Sequence, residues 1–225
     1  MKVRWLVISL VVFALNAFAA ENVEVAAPSE ASVSQIKWRG YLGAGMTFSP
    51  KTDYTLKYQG ASLTSWNEKD KGAPALALEL EGVFNPIFSG SVLVDYSQYK
   101  YKDGTKSDSS FSLMLMPKVR SKVGLWAGVG LGLNRTGIGD TSSASGTESL
   151  TADSTSFTAF IISPRVGYDF SLSPGMTLGG FVAYQTVSSD VTATYIDTSV
   201  PFNGKVNYEF NRSWWDFVLR VGFDL

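Results

Sequence analysis

Histidine and cysteine are both absent from this 225-residue chain. That removes thiolate nucleophiles, disulfides and Cys-bound zinc or iron–sulfur sites, and with them every imidazole general base, triad member or metal ligand. Carboxylates, guanidiniums and amines are left to do any chemistry. The candidates are Glu79, Glu81 and Asp95 on the acidic side and Arg39, Arg165 and Arg220 on the basic side. Glu79 and Glu81 stand two residues apart, which puts both on one face of a strand. A carboxylate-only acid–base mechanism is conceivable there, but a balanced set of three acids and three arginines is better suited to a buried salt-bridge network. Gly128, Gly130 and Gly132 alternate inside a single strand-like segment, without the strand–turn–helix context of a dinucleotide fingerprint. Asp140, Glu148 and Asp153 lack EF-hand spacing and read as solvated loop acids. No cofactor or metal is expected. With 19 basic and 20 acidic residues there is no footprint for nucleic acid either.

The elements that must position these residues are strands. Alternation of apolar with small or polar residues recurs in eight segments: Ile36–Ser49, Pro74–Phe84, Phe88–Lys100, Phe111–Val119, Val123–Asn134, Thr158–Phe170, Met176–Val187 and Trp214–Leu225. Period two sustained over so many segments is strand, not helix. Ahead of them, Lys2 and Arg4 precede the apolar run Trp5–Leu15 and the small-residue site Ala17-Phe18-Ala19. This is the pattern of a secretory signal peptide over Met1–Ala19. Its removal leaves 17 basic against 20 acidic residues, a net charge of −3. Ala20–Gln35 has no sustained period and reads as a flexible periplasmic lead-in, so the folded domain is expected over Ile36–Leu225.

Connections between the segments alternate in kind. Asn85–Ile87, Arg120–Lys122 and Ser171–Gly175 are short turns, whereas Pro50–Ala73, Tyr101–Ser110, Arg135–Phe157 and Ser188–Tyr208 are polar and mostly long. Tyr54–Trp66 and Val191–Val200 have strand character of their own and read as hairpin extensions. Tight turns at one end, long loops at the other and an even strand number describe an eight-stranded antiparallel up-and-down transmembrane β-barrel. A soluble barrel has the same period with its apolar face inward. Three features place the apolar face outward here. The other face is rich in glycine, serine and isolated charges; aromatics gather near strand ends; and apolar alternation runs to the last residue. On this reading Tyr41, Met114, Met116, Trp126 and Phe181 fill the interior beside the charges.

Ile36–Leu225 resembles the OmpA/OmpX-type small outer-membrane barrels of Gram-negative bacteria. The residues carrying the resemblance are the signal peptide, the eight amphipathic strands and the terminal alternation Trp215, Phe217, Leu219, Val221, Phe223 and Leu225. That last stretch is similar to the family's C-terminal assembly signal, although Leu225 stands where the family usually ends in Phe. The resemblance implies insertion into outer-membrane lipid and lipopolysaccharide, handling by periplasmic chaperones and barrel-insertion machinery, and a monomer. Enzymes of this class are implied to use histidine, so no enzymatic activity is expected. A structural or surface-interaction role follows, in adhesion or envelope integrity, with four loops free to meet surface ligands or host receptors. The alternative is a small OmpW-like channel for modest solutes.

Overall fold

The computed structural model describes residues 36–59, 61–69, 71–100, 107–137, 142–145, 148–152, 156–197 and 202–225. The signal and lead-in segments, together with Asp140 and Asp153, lie outside the described residues. The described chain is all-β and antiparallel. Its strands are β1 (Lys37–Tyr58), β2 (Ala61–Lys69), β3 (Pro74–Val83), β4 (Phe88–Lys100), β5 (Ser107–Arg120), β6 (Leu125–Gly137), β7 (Ser142–Ser145), β8 (Glu148–Ala152), β9 (Ser156–Ser173), β10 (Met176–Asp197) and β11 (Phe202–Asp224).

Hydrogen-bonded neighbours run β11-β1-β3-β4-β5-β6-β9-β10, and β10 pairs in turn with β11, so this part of the sheet closes on itself. Closure satisfies the backbone donors and acceptors that an open edge would leave unpaired. At the short-turn end the chain reverses tightly. Asn85 Oδ1 accepts from the Ile87 and Phe88 amides at 2.8 Å each, an Asx turn that replaces missing ladder bonds. Gly124 and Gly175 adopt φ of +95° and +78° in the next two turns, a region open to glycine and costly for other residues.

At the long-loop end the strands outgrow the expected segments. β1 continues to Tyr58 and turns back through β2, with Tyr54 paired to Trp66. β10 and β11 stay in register from Met176–Phe223 to Asp197–Phe202. The Arg135–Phe157 connection, expected as a loop, contains β7 and β8. Its serine- and threonine-rich sequence alternates too weakly to be read as strand, and pairing with the tall β10 wall orders it, as in Ala193 with Ala152. Above the closed ring the sheet therefore continues as β7-β8-β10-β11-β1-β2.

Inside and outside exchange character along these strands. On the short-turn half, outward positions are apolar and exposed, including Leu42 (61%), Leu115 (65%) and Leu219 (75%), whereas Glu79, Asp95, Lys118, Arg165 and Arg220 are buried within. On the long-loop half Lys51, Asp53, Lys205 and Asn207 face out. Leu56, Val191, Ala193, Val206 and Phe210 form a buried apolar cluster inside, with Tyr54, Tyr58 and Phe157 packed against it. The exchange falls beside a bulge between Phe48 and Lys51, where β1 gains one residue over β11. That extra residue moves the inward face of β1 from odd positions (Tyr41, Thr47) to even ones (Thr52, Leu56).

Candidate functional site

The buried charges of the ring fall into three groups. The largest lies toward the short-turn end. Glu79 and Glu81 project inward from β3 because they share its inner face with Ala75 and Ala77. Lys118, from β5, bonds Glu79 and reaches Glu81 Oε1 at 3.2 Å. Arg120 donates to both oxygens of Glu81 (Nε at 3.0 Å, Nη2 at 2.5 Å) and to Asp169 of β9 at 3.3 Å. Arg220, from β11, bonds Glu79 and grips Asp169 in a fork, Nε to Oδ1 at 3.0 Å and Nη2 to Oδ2 at 2.6 Å. Ser89 and Ser91 of β4 donate to Glu81 and Glu79 at 2.6 Å each, and the Tyr41 hydroxyl of β1 donates to Glu81 at 3.1 Å. Three carboxylates thus face three cations, and each acid accepts several charge-assisted bonds.

Aromatic rings complete the group. The Arg220 guanidinium lies 4.0 Å from the Tyr41 ring centroid and 4.5 Å from that of Trp126, and the Lys118 ammonium is 4.6 Å from Trp126. Such stacking favours cations held away from water. The rings fit because glycines face them: a Cβ on Gly167 would overlap the Trp126 ring, and one on Gly222 the Tyr41 ring. With Phe181 of β10 lying 5.8 Å beneath Arg220, every strand of the closed ring contributes to this group.

A second group, at mid-height, pairs Asp95 of β4 with Arg165 of β9. Arg165 also donates to Ser163 at 3.0 Å and stacks 5.2 Å from Phe181. Nearby, Asp216 of β11 accepts from Thr47 at 2.7 Å, from Trp214 at 3.2 Å and from Gln185. The third group, beneath the apolar cluster, pairs Arg212 with Asp108 and stacks Arg212 on Tyr99 (4.7 Å) and Phe210 (4.8 Å).

Of the expected network, the structure brings Glu79, Glu81 and Arg220 together and holds Asp95 with Arg165 as a separate pair. Arg39 is not in it. Although it shares the inward face of β1, it lies at the mouth and bonds Asp224 at 2.8 Å, the two side chains being 27% and 48% exposed. It stands opposite Glu81 in the β1–β3 register, but its side chain turns to Asp224 at the rim and stays partly exposed. Its expected place is taken by Lys118, Arg120 and Asp169. Lys118 and Asp169 stood on the polar faces of their segments, so parity could have found them. The sequence places Arg120 in the turn Arg120–Lys122, but β5 runs through it. The terminal residues Phe217, Leu219, Phe223 and Leu225 face outward, each at least half exposed.

Chemically, the main group has little freedom. The Glu79 and Glu81 oxygens are occupied by Lys118, Arg120, Arg220, serine and tyrosine donors, which leaves no carboxylate poised as a base. Its capacity is to cross-link the ring and fill it.

No family model matches this chain, and no curated protein is significantly similar to it in sequence. Solved structures do match it in fold. The outer membrane protein OprG from Pseudomonas aeruginosa superposes with a TM-score of 0.57 at 14% identity, covering 84% of this chain and 96% of that one. The outer membrane protease OmpT from Escherichia coli superposes with a TM-score of 0.50 at 8% identity, covering 88% and 99%. The architecture is therefore that of outer-membrane β-barrel proteins.

Proposed function

We propose that the chain is an integral outer-membrane protein, an eight-stranded transmembrane β-barrel that is exported by its first 19 residues and serves a structural or surface-interaction role without catalysis. The observation that carries the membrane reading is the exchange of inside and outside along continuous strands. Apolar-out and charged-in suits hydrocarbon around a plugged interior; polar-out and apolar-in, higher on the same strands, suits water. On β1 the apolar stretch runs from Trp38 to Phe48. Ten steps at a rise of about 3.4 Å and a tilt of about 40° span about 26 Å, the height of an outer-membrane barrel's apolar band.

Cross-linked charges and rings across the whole ring favour the structural role over the channel. The tall β7-β8-β10-β11-β1-β2 wall supports a surface role, because it raises the long connections clear of the bilayer on the extracellular side. Lipopolysaccharide and lipid surround the belt, the Trp215–Leu225 alternation is presented to chaperones and insertion machinery, surface ligands or host receptors meet the loops, and the barrel acts as a monomer. Planar-bilayer recording tests this reading. Purified protein should give no stable unitary conductance, while deletion within Pro50–Ala73 or Ser188–Tyr208 should reduce adherence of expressing cells to surfaces. Steady open-channel currents from the intact protein would replace this reading with a channel.

A further inference from the structure

Among the described residues, the buried charges inside the ring do not balance. Glu79, Glu81, Asp95, Asp108, Asp169 and Asp216 are all buried, and the cations facing them are Lys118, Arg120, Arg165, Arg212 and Arg220. Those five cations pair with every acid except Asp216, which among the described residues has no cation in contact. Asp216 is 3% exposed. Its surroundings are nonetheless built for an anion. Thr47 donates to Oδ1 at 2.7 Å, while Trp214 (3.2 Å) and Gln185 donate to Oδ2. Three side-chain donors thus converge on this one carboxylate.

A second group is left over at the same place. Gln185 is 1% exposed, and while its Nε2 serves Asp216, its Oε1 is buried with no hydrogen-bond partner. An unpaired carbonyl and an uncompensated carboxylate, side by side away from water, are each costly alone. One ligand answers both: a small cation bound by oxygen. We propose that Asp216 and Gln185, with the Thr47 hydroxyl beside them, hold an alkali cation, Na⁺ or K⁺, at mid-height in the barrel. A single carboxylate suits a monovalent ion. Ca²⁺ or Mg²⁺ is usually held by more acidic oxygens, and no group of three Asp, Glu, His or Cys that could hold a metal occurs among the described residues. The bound cation brings the summed charge of these described buried groups to zero.

The test is thermal unfolding of the full mature chain in detergent micelles, in NaCl, KCl and N-methylglucamine chloride at equal ionic strength. With salt about 100-fold above the dissociation constant, Na⁺ or K⁺ should raise the midpoint by about 5–10 °C over the organic cation. Asp216→Asn and Gln185→Leu should abolish that difference, and Lys57→Ala should keep it. Should Asp216→Asn not fold, ²³Na line broadening by the wild-type barrel, reversed by excess K⁺, supports the site. Equal midpoints in all three salts with an unbroadened ²³Na line would overturn it. So would an infrared band of a protonated carboxyl group that Asp216→Asn removes, since the proton would then be what neutralises Asp216.

Discussion

The two halves of this barrel solve the same packing problem with opposite materials. Toward the short turns, the interior is closed by Glu79, Glu81 and Asp169 against Lys118, Arg120 and Arg220, and the exterior is leucine and valine. Toward the long loops, the interior is Leu56, Val191, Val206 and Phe210, and the exterior is lysine, asparagine and threonine. The strands β1, β10 and β11 run through both halves. With the belt in lipid, as proposed, what differs is the medium outside, so the arrangement of polarity follows the solvent rather than the sheet. In hydrocarbon the wall cannot use the hydrophobic effect to hold its interior, and ion pairs with full hydrogen bonding take over. In water the ordinary apolar core returns.

The largest effect expected from this contrast is at Arg220. Arg220→Ala strands Glu79 and Asp169 without their shared cation and should cost on the order of 3–5 kcal/mol in urea unfolding from lipid vesicles. A loss below about 1 kcal/mol would mean that water already reaches the group. Next comes the outer surface. Leu78→Arg, at mid-belt, should cost about 2–4 kcal/mol, while Thr192→Arg, on the outer face above the bulge, should stay within about 0.5 kcal/mol. Equal costs would show that both halves meet the same medium. Leu56→Ala, in the upper core, should cost about 2 kcal/mol, the low end for a buried leucine, and should speed amide exchange in β1 above Lys51 without affecting β3. Exchange that rises uniformly would make the halves one cooperative unit. Smallest is Arg39→Ala at the mouth, at about 0.5 kcal/mol or less, because its partner Asp224 is exposed.

The Lys57–Glu209 pair, on the outer face above the belt at 2.6 Å, adds a pH signature. The hydrogen bond from Lys57 holds Glu209 below the ordinary carboxylate range, and the same bond raises Lys57. Depressed in the folded state, Glu209 stabilises above the ordinary range and loses that contribution as pH falls through its lowered value. Lys57, raised, keeps its contribution until pH climbs past the ordinary lysine range. Lys57→Ala should therefore move the Glu209 titration upward in NMR. An unmoved curve would make the contact incidental.

Alternation made the strands legible, and the contrast between Asn85–Ile87 and Pro50–Ala73 made the two ends of the sheet distinguishable. Parity also told inward from outward at Tyr41, Trp126 and Phe181. Which charges would meet was less legible, because level depends on tilt and stagger that the sequence does not state. Arg39 and Arg220 lie on adjacent strands and the same face, yet Gly43, not Arg39, stands opposite Arg220. Arg120 followed the same logic in reverse: beside Ser121 and Lys122 it looked like a turn residue, and only its pairing with Trp126 makes it strand. The β7–β8 hairpin carries no periodicity of its own and exists through its pairing with β10.

One feature of the main charge group bears on how the barrel is made. Arg220 sits on the last strand and joins Glu79 near the start of the chain to Asp169 near its end. Until β11 docks against both β1 and β10, those two acids face a partly open sheet without their common cation. Growth strand by strand already brings Lys118, Arg120, Ser89 and Ser91 to Glu79 and Glu81, and the closing step adds the Arg220 bonds that tie Glu79 to Asp169. Closure of this wall should behave as a latch: slow to release, because Arg220 must part from two acids on different strands at once.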